Sequence, residues 1–133
     1  MQELNIRAEA ENLNAVLAFV DEILEQNDCS MKAQMQIDIA LEEMFVNVAY
    51  YAYAPNVGDV LIGCGVENGF ATITLTDRGV PYDPLKKPDP DVTLSAEERK
   101  IGGLGIFMVK KSMDEVFYEY KDGQNIFTMK KKI

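Results

Sequence analysis

The sequence contains no histidine and no tryptophan, and only two cysteines. Without histidine, Ser-His and Cys-His nucleophilic catalysis are excluded within this chain. Cys29 and Cys64 stand far apart with no CxxC spacing, so a zinc site is not supported. No stretch approaches the apolar length of a membrane span. The opening MQELNIRAEAEN carries acids and no long apolar run, so no signal peptide is expected and the expected location is the cytoplasm. Positive charge is scarce: 13 Lys and Arg stand against 22 Asp and Glu, a net charge of -9. That balance argues against direct nucleic-acid binding through a basic surface. A polyanionic ligand would need local help here, from a divalent metal and aimed backbone N–H groups.

What is present suits one α+β domain. The 133 residues, 47% hydrophobic and 26% charged, are enough for a real core. Residues 3–8 read as a strand. Asn12 to Asn27 reads as a helix with Leu13, Val16, Leu17, Val20, Ile23 and Leu24 on one stripe. Asp28-Cys29-Ser30 breaks it, and Ser30 is a candidate N-cap for a second helix that runs to about Ala54, before Pro55. Strands near 58–66 and 70–76 turn at Asn68-Gly69, and strands near 114–121 and 124–132 turn at Asp122-Gly123. A third helix is predicted near 104–113. Four of the five prolines fall in 80–101, which is read as a lid, with a mobile surface loop as the plainer alternative. Ser95 and Glu98 within it have capping-box spacing.

Three short motifs follow one another in the chain. On the second helix, at about 100° per residue, Ile37, Leu41, Met44, Val48 and Tyr51 share an apolar stripe facing the core. Glu43 and Asn47 lie about 40° apart at one edge of it, whereas Glu42 is about 140° from Asn47 and points elsewhere. A carboxylate and an amide oxygen on one face suit a hard cation such as magnesium, and the carboxylate can serve as a general base. The same spacing also describes an ordinary solvated pair.

The second motif is Asp77-Arg78-Gly79, closing the strand Ala71 to Thr76. A carboxylate there seeks donors such as an exocyclic amine, and Gly79 permits close approach. An Asx-type turn is the alternative. The third is Gly102-Gly103-Leu104-Gly105, running into an apolar helix, where free N–H groups favour phosphate. A loop end with packing glycines is the alternative. No Walker A motif occurs, and Gly63-Cys64-Gly65 lacks the helix that a dinucleotide fingerprint needs.

Taken together, EEMFVNVAYYAY, TDRGVPYDP and GGLGIFMVKKSMDEV resemble the boxes of a GHKL-type (histidine kinase-like) ATPase domain. Within that superfamily the chain is most similar to the bacterial anti-sigma factor serine kinases, over roughly 10–132. The resemblance implies a two-layer α/β sandwich of the Bergerat type, with a mixed, mostly antiparallel sheet and helices on one face. It implies ATP and Mg2+ as ligands. Asn47 would hold the metal, Glu43 would be the catalytic base, and Asp77 with Gly79 would read adenine. Gly102, Gly103, Leu104 and Gly105 would line the phosphates, with Arg99 or Lys100 adding positive charge. Two departures stand out: Tyr51 occupies a position where the family often has histidine, and Pro81 one where a second glycine is common.

The function implied is that of an anti-sigma regulator with serine/threonine kinase activity. Its partners would be a sigma factor or an antagonist protein, and it would form a homodimer. An ATP-dependent binding module without phosphotransfer is the second reading, and a purely structural domain whose glycines serve turns is the third.

Overall fold

The computed structural model describes residues 1–86 and 103–133. Strands β1 (Gln2–Arg7), β2 (Asp59–Glu67), β3 (Phe70–Asp77), β4 (Glu115–Lys121) and β5 (Gln124–Lys132) form one sheet in the order β1-β2-β3-β5-β4. Its four pairings are all antiparallel, so the sheet lies at the antiparallel end of the expected range. Both hairpins close as the sequence demands. Asn68 and Gly69 have φ of 54° and 80°, and Asp122 and Gly123 have 53° and 77°. Two successive positive φ values match the right-handed twist of the flanking strands.

Helices α1 (Leu13–Gln26), α2 (Met31–Asn47) and α3 (Gly103–Ser112) cover one face. Ser30 caps α2, its hydroxyl accepting from Ala33 N at 3.2 Å. Val16, Val20, Ile23 and Leu24 of α1 and Ile37, Leu41, Met44 and Phe45 of α2 pack on alternate residues of the sheet. In β3 these are Ala71, Ile73 and Leu75, with Asp77 continuing the same row. Both cysteines are free, and burial pushes the Cys64 thiol up to about 11. No helix among the described residues is long and apolar enough to cross a membrane.

The second helix differs from expectation at its end. The α-helix stops at Asn47, and Val48–Ala52 form a π-helical turn before a cis Ala54–Pro55 peptide. The wider turn breaks the 100° phase, so Tyr51 leaves the core stripe and is 65% exposed. Of the 80–101 segment, only Pro84–Lys86 forms a described element, a 3-10 turn. Residues 87–101, including the capping-box pair Ser95 and Glu98, lie outside the described residues.

Where α1 meets α2, Asp21 and Asp38 come together, and each has a buried Oδ1 with no hydrogen-bond partner among the described residues. Burial, then the contact with Asp21 and the charge of Glu25, push the Asp38 carboxyl up to about 8. The proton is held in the fold but lost from the unfolded chain, whose carboxyl titrates near the ordinary 3.8. Stability contributed at Asp38 is therefore complete below that value and falls as pH rises toward 8. Asp38→Asn is expected to raise the thermal midpoint by about 3 °C at pH 8, after allowing for partial exposure, and to change it little at pH 4. Calorimetry at the two pH values checks this; an equal shift at both refutes it.

Candidate functional site

The apolar rows of β3 and β5 end side by side in polar residues. Asp77 pairs in register with Asn125, just as Leu75 pairs with Phe127 and Ile73 with Met129. Both polar residues are 7% exposed. A buried carboxylate needs donors. Asp77 Oδ1 has two, accepting from Gly79 N at 2.9 Å and from Asn125 Nδ2 at 3.0 Å. Its Oδ2 has no hydrogen-bond partner among the described residues.

The turn after Asp77 is tied down from three sides. Val80 N donates to Ala52 O, a carbonyl of the π turn, at 2.9 Å. A Cβ on Gly79 would overlap that same carbonyl, so glycine is required for the approach. Tyr53 Oη donates to Asp59 O at 2.6 Å and accepts from Arg78 N at 2.8 Å. Asn125 Nδ2 also donates to Val80 O, at 2.9 Å.

A cavity of about 370 Å³ opens between α2, the π turn, this turn and β5. Asp77 lies at its polar end, Asn47 lines its helix side, and Met44, Val48, Leu75 and Phe127 supply apolar walls. Exposed Tyr51 and half-exposed Tyr82 line it as well. None of the described lining residues is basic. An apolar slot ending in an acceptor-only carboxylate oxygen suits a flat heterocycle bearing an amine.

Asn47 lines the same cavity and carries an amide side chain. Among the described residues no three Asp, Glu, Cys or His side chains gather into a metal cage. An amide oxygen is a hard donor of the kind that suits a hard cation such as magnesium.

Glu43 is placed differently. It lies one helical turn before Asn47 and lines a neighbouring groove of about 420 Å³ between α2 and α3, together with Gln36, Ile39, Gly105 and Met108. Its side chain rests on the first turn of α3: a Cβ at Gly105 would overlap the carboxylate and come within 2.8 Å of Glu43 Cγ. Glu42 is exposed, as helical phase implies. So the structure brings Asn47 and Asp77 into one cavity, and Glu43 and Gly105 into the adjoining groove. Gly79 forms the turn beside Asp77. Gly103 and Leu104 open α3. Gly102, Arg99 and Lys100 lie outside the described residues.

Sequence reasoning missed Asn125, Tyr53 and Tyr118. The available signal for Asn125 was an asparagine where a strand's apolar row should continue.

A family model described as the histidine kinase-like ATPase domain matches residues 6–131. The chain belongs to the histidine kinase-like ATPase family. A family relative, the serine-protein kinase RsbW of Bacillus cereus (strain AH187), is 24% identical over 132 residues, covering 96% of this chain and 82% of that protein. RsbW of Bacillus thuringiensis (strain Al Hakam) is 27% identical over 96 residues, 69% of this chain, and the chain matches 60% of its length. Among solved structures, a Mycobacterium tuberculosis protein with RsbU and RsbW domains superposes with a TM-score of 0.69 at 18% identity, over 99% of this chain and 32% of that one. The Acinetobacter baumannii histidine kinase AdeS gives 0.51 at 15% identity, over 99% of this chain and 68% of its own. The α+β architecture of this histidine kinase-like ATPase domain is thus shared with RsbW domains.

Proposed function

We propose that this domain binds ATP with magnesium and passes the terminal phosphate to a serine or threonine hydroxyl on a small protein partner. In this reading it is a cytoplasmic, homodimeric anti-sigma regulator of the partner-switching kind, with the lid over 80–101. The single observation that carries it is the Asp77 carboxylate. One oxygen is saturated by protein donors and the other has no hydrogen-bond partner among the described residues, at the end of an apolar cavity that Asn47 also lines. Family membership and the RsbW relatives support the kinase assignment.

The roles are those the family resemblance implies. Asp77 Oδ2 accepts from the adenine amine, and the apolar walls take the ring. Asn47 Oδ1 would hold magnesium, which when bound neutralises phosphate charge. Backbone N–H groups at Gly103, Leu104 and Gly105 face phosphate at the start of α3. Gly102, Arg99 and Lys100 belong to the same phosphate end in this proposal. Glu43 takes the proton from the attacking hydroxyl.

A second reading has one observation in its favour. Glu43 lines the neighbouring groove and not the cavity, which suits a domain that binds ATP to control partner affinity without phosphotransfer. Titration with Mg-ATP, followed by terminally labelled ATP and the small protein that co-purifies, separates the readings. Binding with label transfer is expected. Binding without transfer selects the second reading, and no binding overturns both.

A further inference from the structure

Asn125 makes more contacts than a strand residue needs. Its Oδ1 accepts from Tyr82 N at 3.1 Å and from Tyr118 Oη. Its Nδ2 donates to Asp77 Oδ1 at 3.0 Å and to Val80 O at 2.9 Å. The amide has only one workable orientation. Tyr82 N–H can only donate and Val80 O can only accept, so a flipped amide would set donor against donor and acceptor against acceptor. Burial pushes the Tyr118 hydroxyl above its ordinary value, which keeps it a donor.

The consequence falls on Asp77. With Nδ2 and Gly79 N both on Oδ1, the carboxylate is pinned about its own Cβ–Cγ bond. Its Oδ2 is then a fixed acceptor in an apolar wall. A 6-amino group meets it with an N–H. A 6-oxo group meets it with lone pairs, and the pinned carboxylate cannot swing to reach a ring N–H in compensation. Discrimination that leaves a buried polar group unpaired is stronger than discrimination by shape alone.

We propose that Tyr118 and Asn125 are positioning residues that make this cavity selective for a 6-aminopurine over a 6-oxopurine. Both also line the cavity beside Asp77. Both act by preventing Asp77 from re-aiming. The inference rests on the reading of the cavity as a nucleotide-base site.

The test compares ATP with inosine triphosphate, each with magnesium, by titration calorimetry on the full chain. The unsubstituted protein is expected to prefer ATP. In Asn125→Leu the apolar side chain gives Asp77 no donor, and the preference is expected to fall by about tenfold, chiefly through tighter inosine triphosphate binding relative to ATP. Tyr118→Phe removes one hydroxyl and keeps the ring, so it preserves packing if Asn125→Leu does not fold. It is expected to reduce the preference by about threefold. A merely structural role would weaken both nucleotides alike and leave the ratio unchanged. That unchanged ratio, in either folded variant, overturns the proposal, as does an unsubstituted protein that binds both nucleotides equally. Failure of the unsubstituted protein to bind ATP at all instead overturns the base-site reading beneath it.

Discussion

Asp77→Asn is expected to lower ATP affinity by about a hundredfold or more while leaving the fold intact. The substitution is nearly isosteric. The amide oxygen can still accept from Gly79 N and Asn125 Nδ2, so the turn keeps both donors where they are. The group that changes is the outward one. An amide N–H2 replaces Oδ2 and faces the adenine amine donor to donor. That combines a lost hydrogen bond to a charged acceptor with an unsatisfied buried donor, and both terms act in an apolar cavity where they are strongest. Calorimetry with Mg-ATP measures the loss, and an unchanged thermal midpoint in the absence of nucleotide assigns it to binding. Affinity within threefold of the unsubstituted protein would remove Asp77 from the base-reading role.

Glu43→Gln is expected to reduce phosphate transfer by about 10²–10⁴-fold with little change in ATP affinity. The split follows from position. Glu43 does not line the cavity assigned to the nucleotide, so its charge is not required to hold the base or ribose there. Glutamine keeps the volume that rests on Gly105, so α2 and α3 need not repack. It cannot take a proton at neutral pH. The measurement is single-turnover transfer from labelled ATP to the partner protein, with affinity determined separately. Transfer at the unsubstituted rate excludes Glu43 as the base.

The element order, the two hairpins and the α1 stripe were legible because each rests on a local signal. Asn68-Gly69 and Asp122-Gly123 dictate their turns through backbone conformation alone, and Ser30 caps the helix that follows it. Helical phase also set Glu42 apart, which is exposed whereas Glu43 is half-buried, but phase did not foresee that Glu43 and Asn47 line different hollows. It failed at Tyr51, because phase assumes an unbroken 3.6-residue repeat and the turn from Val48 to Ala52 is π-helical. No residue in that turn announces the widening; the tie from Val80 N to Ala52 O comes from a segment far along the chain, beyond β2 and β3.

Non-local pairing hid the rest. Asn125 matters because strand register sets it opposite Asp77, and register between β3 and β5 joins residues 48 apart. Asp21 and Asp38 carry no sign in sequence that they meet, since an acid on a helix is normally solvated. The division of the motif residues between a cavity and an adjoining groove likewise depends on how α3 crosses α2, which spacing along one helix cannot supply.

The phenol of Tyr53 joins the carbonyl that enters β2 to the amide that leaves β3. With the Ala52–Val80 bond, it holds the turn after Asp77 in place within the fold itself. Ordering entropy at that end is met during folding, so a nucleotide docking there, as proposed, would lose mainly its own freedom. On the proposed reading, chemically distinct bases would meet one rigid template at similar arrival rates, and residence time would be the quantity that tells them apart.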